Sequence, residues 1–218
     1  VEEIVSNENY LKTSIGRVNY DYLVLATGVK TNFFGNQEIK DNSMPMKSIP
    51  EALNLRSLIQ QNFEEALLKD KPAEQAQLIN FVIVGGGPTG VETAGALAEL
   101  KLHVLPNDYP DLDLSKMQIN IIERAPRLLN GMSEQASKRA EEFLIEMGVR
   151  VRTNDSVKSY NSLNATLESG VILNTSNLIW TAGVKAATIA GIDSNLTERG
   201  SKLIVDLYNT VIGYEHIF

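Results

Sequence analysis

Short apolar runs alternate along the chain with stretches in which apolar residues recur at helical spacing. Six of the seven residues at 78–84 (LINFVIV) are apolar, which predicts a strand buried on both faces of a parallel sheet. Residues 91–102 keep one helical face apolar, and residues 117–123 (MQINIIE) predict a second strand. A helix at 133–147 and a strand at 148–151 complete a β-α-β-α-β order with right-handed crossovers.

The segment before this unit contains a further strand and a well-marked helix. Residues 20–28 (YDYLVLATG) predict a strand that ends in a tight turn. A helix is predicted to begin at Ser48, whose side chain can form a capping box with Glu51, and to run to about Lys69. Residues 70–75 (DKPAEQ) are interpreted as the connection to the first strand of the unit.

The polar segments predict loops and short strands. Residues 102–116 are interpreted as an inserted loop, because prolines and aspartates interrupt the helical pattern. The short alternating runs at 156–183, separated by Asn, Ser and Gly, predict an antiparallel meander. Residues 203–206 (LIVD) are typical of one more strand.

The first turn of the unit carries the strongest chemical signal. Its glycines Gly85, Gly87 and Gly90 have the spacing G-x-G-x-x-G, and the complete turn is Gly85, Gly86, Gly87, Pro88, Thr89 and Gly90. In a nucleotide-binding βα turn the first glycine makes the turn, the second admits a pyrophosphate, and the third lets helix and strand pack closely. The helix N-terminus adds unpaired N–H groups and partial positive charge. A glycine-rich turn without a ligand is the alternative.

The second strand ends in Glu123, which can accept hydrogen bonds from the adenosine ribose hydroxyls and repel a 2′-phosphate. This position favours NADH over NADPH. The spacing from Gly90 is longer than the roughly 20 residues that are usual, and the excess lies in the insertion at 102–116. Two alternatives stay open: Glu123 as an ordinary solvated strand end, and Arg124 as a partner for a 2′-phosphate.

Composition excludes several classes of function. The 218 residues carry a net charge of −7 and have a pI near 5.0, so no basic surface is expected for nucleic acid. The chain has no cysteine, which excludes disulfides and a Cys-x-x-Cys redox centre within it. Only His103 and His216 are present, far apart in the sequence, so no metal site is expected. No apolar run approaches the roughly 18 residues of a membrane span.

Five motifs in order resemble those of flavoprotein oxidoreductases with two dinucleotide-binding domains, most closely the type II, non-proton-pumping NADH dehydrogenases. They are LVLATG at 23–28, GGGPTGVETAGALAE at 85–99, IIERAPRLLNGMSEQ at 121–135, LIWTAGV at 178–184 and the segment from LIVD to VIGYEHIF at 203–218. The resemblance covers essentially the whole chain.

The resemblance implies roles for particular residues. NADH would lie along the glycine turn with its ribose near Glu123, and Glu92 matches a catalytic family glutamate near the nicotinamide and the flavin. Ala182 and Gly183 match the turn beside the nicotinamide nucleotide, and Thr27 and Gly28 match the turn at the flavin. The alternatives are a carboxylate that stabilises the first helical turn, for Glu92, and ordinary glycine turns for the two pairs.

The implied fold is α/β: a Rossmann-like NADH-binding domain, made of a parallel sheet and an antiparallel meander, with partial FAD-domain segments at both ends. Residues 1–45 would be the first FAD-domain segment, 46–185 the NADH-binding domain, and 186–218 the return into the FAD-binding domain. The family's flavin-binding G-x-G-x-x-G and Ala-x-Gly-Asp motifs are not in this sequence. The chain, which does not begin with Met, is therefore expected to be an internal fragment that binds NADH without holding FAD tightly.

The resemblance implies that the parent protein transfers hydride from NADH to FAD and passes electrons to a membrane quinone of a respiratory chain. The parent would be cytoplasmic, peripheral on the inner face of the cytoplasmic membrane, with a homodimer as a candidate assembly and no nucleic-acid partner. Two alternatives remain at this stage. One is a related FAD-dependent reductase with a soluble acceptor, and the other is a non-catalytic NADH-binding module.

Overall fold

The computed structural model describes residues 1–198 and 200–218, which divide into two compact units. The smaller unit contains residues 1–31 and 184–218, and the larger contains residues 32–183. The sequence placed the first boundary after residue 45. In the structure, residues 32–45 belong to the larger unit, because a strand within them pairs with its sheet. That the two units serve FAD and NADH stays a prediction.

Short antiparallel strands make up the smaller unit, labelled here in chain order of the whole molecule. They are β1 (Glu3–Val5), β2 (Tyr10–Thr13), β3 (Gly16–Asn19), β4 (Val29–Thr31), β13 (Val184–Ala186), β14 (Thr197–Glu198) and β15 (Lys202–Leu203). Strands β1, β2 and β3 form one sheet, while β4 pairs with β13 and β14 with β15. A short 3-10 helix spans Ser194–Leu196. Ile4, Val211 and Ile217 form the small buried core.

Two strand predictions in this unit are wrong as stated. Residues 23–25 form only one isolated parallel bridge, between Leu23 and Ile217, rather than a strand. Of the predicted strand at 203–206, only Leu203 lies in β15, and Val205 forms an isolated bridge with Val211. An apolar run becomes a strand only when neighbouring strands complete its hydrogen-bond ladder, and this information lies outside the run itself.

The larger unit contains a parallel sheet, a small antiparallel sheet and several helices. Its helices are α1 (Gln37–Asn42), α2 (Ile49–Leu67), α3 (Pro72–Ile79), α4 (Pro88–Glu99), α5 (Leu105–Asp108) and α6 (Glu134–Glu146). Its strands are β5 (Met44–Pro45), β6 (Phe81–Val84), β7 (Ile119–Ile122), β8 (Arg150–Arg152), β9 (Val157–Tyr160), β10 (Asn164–Leu167), β11 (Ile172–Asn174) and β12 (Asn177–Trp180).

Five parallel strands form the main sheet in the order β5-β12-β6-β7-β8. The predicted β-α-β-α-β order is confirmed by β6, α4, β7, α6 and β8. All four residues of β6, of β7 and of β12 are buried, as expected for central strands of a parallel sheet covered on both faces.

Two predictions about the sheet were wrong. Residues 78 and 79 end α3 rather than begin β6. Residues 177–180 were assigned to the meander, yet β12 lies parallel to β6 inside the main sheet. The meander is limited to β9, β10 and β11, whose strands are antiparallel. The uninterrupted burial of Asn177–Trp180 is the physical difference, since meander strands with one solvated face alternate.

Some of the predictions about helices are confirmed and others are wrong. The capping box of Ser48 and Glu51 is present at the start of α2, and Gly148 follows α6 with a φ of +84°. Of the connection predicted at 70–75, residues 72–75 are instead the start of α3, because Pro72 occupies the first helical position, where no N–H is needed. The predicted loop at 102–116 begins as a π-helical turn (Leu100–Val104), continues as α5 and ends in a 3-10 turn (Leu114–Lys116).

The two faces of the main sheet are covered differently. Helices α2, α3, α4 and α6 bury an apolar cluster on one face that includes Phe63, Phe81, Leu97, Ile121 and Leu144. The antiparallel sheet and α1 cover the other face, where the buried cluster includes Ile39, Val82, Ile122, Tyr160 and Trp180. The carboxyl ends of β12, β6 and β7 therefore form one edge between two packed layers.

Candidate functional site

The glycine turn follows β6 and leads directly into α4. Gly85 has a φ of +111°, and a Cβ on it would lie 2.7 Å from the Cα of Ala182. A Cβ on Gly90 would overlap the carbonyl oxygen of Gly85. Both residues must therefore be glycine for the turn to close and for α4 to approach β6. The predicted reasons for the first and third motif glycines are confirmed by this geometry.

Gly87 differs from its two neighbours in the motif. Its φ is −74°, which any residue adopts, and a Cβ on it would meet no heavy atom within 4 Å. It is the N-cap of α4, followed by Pro88, and no side chain of the described residues caps this helix end. The backbone at Gly87 is therefore open on the side where the first N–H groups of α4 are unpaired. Neither backbone conformation nor packing against the described residues requires glycine here.

The side chain of Glu123 is hydrogen-bonded to the glycine turn. Its Oε2 accepts a hydrogen bond from the Gly86 N–H at 2.5 Å, and its Oε1 accepts one from the Ala125 N–H at 2.6 Å. The Leu129 N–H donates to the Gly86 carbonyl at 2.7 Å, so the loop after β7 holds Gly86 at both of its polar groups. A Cβ on Gly86 would lie 2.6 Å from Leu128. The half-buried carboxylate thus stabilises the turn, a contact that the sequence analysis missed.

The third loop of this edge follows β12. Thr181 Oγ1 donates to the carbonyl oxygens of Val84, at 2.9 Å, and Gly85, at 3.1 Å. Because β6 lies between β12 and β7, the turn at Ala182 and Gly183 and the carboxylate of Glu123 flank the glycine turn on opposite sides. The chain proceeds from β6 toward β7 and β8 on one side and later adds β12 on the other. The edge is therefore a topological switch point, where ligands of open α/β sheets bind.

Glu92 is the fifth residue of α4, and its side chain is exposed. Its predicted place in the first turn of the helix is wrong, since the first turn of α4 contains no acidic residue. The alternative interpretation of Glu92, as a carboxylate that stabilises the helix N-terminus, loses its geometric basis. Its catalytic role stays a prediction.

The segment at 32–36 contributes a neighbour that the sequence analysis missed. The Trp180 indole N–H donates to the Asn32 carbonyl at 3.0 Å, and Phe33 stacks on the Trp180 ring with centroids 5.6 Å apart. A Cβ on Gly183 would lie 2.8 Å from the ring of Phe34. A side chain at Gly183 would therefore displace the ring of Phe34. The only signal in the sequence was a pair of aromatic residues before Gly35.

Thr27 and Gly28 lie in the smaller unit. Thr27 Oγ1 donates to the Ala187 carbonyl at 2.6 Å, and Gly28 has a φ of +74°. Both residues line a cavity of about 670 Å³ whose walls are mainly aliphatic, Leu25 and Ile189 among them. That Thr27 and Gly28 contribute to a flavin site stays a prediction.

Neither a metal centre nor a membrane-spanning helix is seen in the part of the chain that the structure describes. Within residues 1–198 and 200–218, no three side chains of His, Asp or Glu come close enough to share a metal ion. No helix in these ranges has the length and apolar character to cross a bilayer.

A glycine turn at the switch point of a parallel sheet, with a carboxylate at the end of the adjacent strand, is typical of the dinucleotide-binding class of α/β proteins. The family model of the pyridine nucleotide-disulphide oxidoreductases matches residues 2–218. The chain belongs to this family.

Three individual proteins make the similarity more specific. The type II NADH:quinone oxidoreductase Ndh of Mycobacterium tuberculosis is 33% identical over 78% of this chain, which corresponds to 38% of the relative. A second one from the same organism, NdhA, is 31% identical over 91% of the chain and 44% of the relative. NDH2 from Plasmodium falciparum, solved in complex with NADH, is 24% identical and superposes with a TM-score of 0.79 over 93% of this chain and 43% of its own.

These similarities confirm the resemblance found in the motifs and the predicted fold class. The chain spans less than half the length of the relatives it matches. The larger unit, with the glycine turn and Glu123, lies within the shared region.

Proposed function

We propose that the larger unit binds NADH across the carboxyl ends of β12, β6 and β7. The open backbone at Gly87 carries this proposal, because it is the one motif glycine that no protein contact or strained conformation explains. A pyrophosphate over Gly87 would receive the free N–H groups and the positive dipole end of α4. The adenosine ribose then lies toward Glu123, and the nicotinamide end lies toward Ala182 and Gly183.

The whole enzyme is proposed to be a flavin-dependent NADH:quinone oxidoreductase that does not pump protons. Two relatives from Mycobacterium tuberculosis, both named type II NADH:quinone oxidoreductases, support the proposal. The flavin would supply the hydride acceptor when bound, with Thr27 and Gly28 contributing to its site and Glu92 close to the reacting rings. The chain's own part is to bind and orient the reduced nucleotide.

Further properties of the whole enzyme follow from this proposal. A quinone substrate would place it at a membrane surface, and the inner face of the cytoplasmic membrane is the proposed site. A homodimer remains a candidate assembly. Because this sequence carries one glycine-rich motif, we expect NADH binding without quinone reduction by the 218-residue chain alone.

NADH titration of three proteins tests the binding proposal. Gly87→Ala should weaken NADH binding at least tenfold, because a methyl group would occupy the space proposed for the pyrophosphate. Its cost to folding should be about 0.5–1 kcal/mol, the difference between glycine and alanine at an N-cap. Gly131→Ala is the matched control, since Gly131 also has no atom within 4 Å of a Cβ and no positive φ.

Isothermal titration calorimetry gives the affinities and urea unfolding gives the stabilities. The proposal predicts that Gly131→Ala binds NADH as the unchanged chain does. It is rejected if the unchanged chain fails to bind NADH at millimolar concentration, or if Gly87→Ala binds as tightly as the control.

A further inference from the structure

Phe34 lies in a tight turn, closed by the hydrogen bond from the Asn36 N–H to the Phe33 carbonyl at 3.0 Å, and it combines two unfavourable features. Its φ is +51°, in the left-handed region that is disfavoured for every residue with a side chain. Its ring is 63% exposed to solvent, so the conformation brings little apolar burial in return. Residues held in such conformations concentrate at functional sites, where the surrounding structure stabilises them.

The surroundings of Phe34 do hold it in place. Its N–H donates to Asn32 Oδ1 at 2.9 Å, and the next residue, Gly35, continues the turn with a φ of +81°. Asn32 is itself fixed at both ends, because its N–H donates to the Gly183 carbonyl at 3.0 Å and its carbonyl accepts from the Trp180 indole at 3.0 Å. The ring is therefore presented in one place by a rigid loop.

This place lies beyond the glycine turn on the side opposite Glu123. Gly85 packs on Ala182, and Gly183 packs under the ring of Phe34, so a continuous row of contacts leads from the turn to the ring. With the adenosine ribose at Glu123 and the pyrophosphate at Gly87, the other half of a dinucleotide must extend over the end of β12. The exposed ring of Phe34 lies at that end of β12.

We propose that Phe34 is a binding residue for the nicotinamide half of NADH, with its ring packed against the nicotinamide ring. This inference rests on the proposed function. A planar, uncharged dihydronicotinamide is a suitable partner for an aromatic face, since offset stacking adds to the burial of both surfaces. The contact would also orient the nicotinamide and exclude water from one of its sides.

The test compares two nucleotides that differ only in the nicotinamide. Phe34→Gly removes the ring and the strained conformation together, so the variant should fold at least as well as the unchanged chain. Its affinity for NADH should fall about three- to tenfold, the range of an aromatic stacking contact. Its affinity for ADP-ribose, which lacks the nicotinamide, should stay within about twofold. Calorimetric titration measures both affinities on the 218-residue chain.

Two further variants serve as controls. Phe34→Tyr keeps an aromatic face, so its affinity for NADH should stay within about twofold of that of the unchanged chain. Phe143→Ala removes another half-exposed phenylalanine of the same unit, located on α6, and should change neither affinity.

The outcomes separate the two proposals. Equal losses for NADH and ADP-ribose in Phe34→Gly would show that the residue supports the loop rather than the nicotinamide, and would overturn the inference. Unchanged NADH affinity in Phe34→Gly would overturn it as well. If the unchanged chain binds neither nucleotide, the proposed function itself fails.

Discussion

The parallel sheet of the larger unit is finished in opposite ways at its two ends. At the amino end, buried amide side chains close the sheet. Asn177 Nδ2 donates to the carbonyls of Leu78, at 2.7 Å, and Asn80, at 2.9 Å, while its Oδ1 accepts from Asn62 Nδ2 at 2.7 Å. Thr175 Oγ1 donates to the Asn80 carbonyl at 2.6 Å. These side chains occupy the space between the strand ends and satisfy the backbone groups there.

At the carboxyl end, glycines and one carboxylate lie at the strand ends. Gly85 and Gly90 allow backbone to touch backbone, Glu123 pairs with two N–H groups, and Gly87 is left open. A closed end of a sheet satisfies its polar groups internally, whereas a binding end leaves donors free for a ligand. Changes at the amino end should therefore affect stability alone, and changes at the carboxyl end should affect stability and binding to different degrees.

The largest effect is expected at the closed end. Asn177→Leu leaves the Asn62 amide and the Leu78 carbonyl without a partner in a dry environment, which should cost about 3 kcal/mol of unfolding free energy. Urea unfolding measures this loss. The exposed Asn174, whose side chain is not part of the network, is the control, and Asn174→Ala should cost less than about 0.5 kcal/mol. Equal losses for the two variants would show that the network contributes nothing.

Gly90→Ala should have the next largest effect. The new methyl group overlaps the Gly85 carbonyl, so α4 has to move away from β6 at a cost of about 2 kcal/mol. Gly95→Ala lies in the same helix, where a Cβ would make an ordinary contact of 4.0 Å with Leu144, and should stabilise the chain by about 0.5–1 kcal/mol. The midpoint temperature of thermal unfolding should therefore fall for Gly90→Ala and rise for Gly95→Ala. A shift of the same sign would contradict the packing argument.

Local patterns were sufficient for the elements that form this edge. The glycine spacing, the buried run of β6 and the capping box of Ser48 each depend on residues within a few positions of one another, and all are present. The positions of Gly85 and Gly90 followed from their place in a strand–turn–helix unit. Signals of this range can be read from one sequence.

Contacts between distant segments could not be read in the same way. The Gly86 N–H and the Glu123 carboxylate are 37 residues apart, and their hydrogen bond depends on the parallel pairing of β6 with β7, which places Val84 opposite Ile122. Phe34 reaches Gly183 only because residues 32–45 join the larger unit. The parallel pairing of β12 likewise required knowledge of which faces are buried. The errors about the main sheet therefore concern strand partners, whereas those at 70–75 and 102–116 concern local helix formation.

Of the three variants Asn177→Leu, Gly90→Ala and Glu123→Gln, the last should have the smallest effect on stability, together with a distinct effect on binding. The amide oxygen can still accept from one backbone N–H, but its NH₂ group faces the other donor, so one hydrogen bond is lost at a cost of about 1 kcal/mol. Loss of the negative charge should also reduce repulsion of a 2′-phosphate, so the affinity for NADPH relative to NADH should rise about tenfold.

Glu168→Gln, at an exposed carboxylate of the same unit, should change neither the stability nor the nucleotide preference. Parallel urea unfolding and NADH and NADPH titrations measure both effects. A loss of stability with an unchanged NADPH preference would mean that Glu123 belongs, like the amides of the opposite end, to the closure of the sheet rather than to the reading of the ribose.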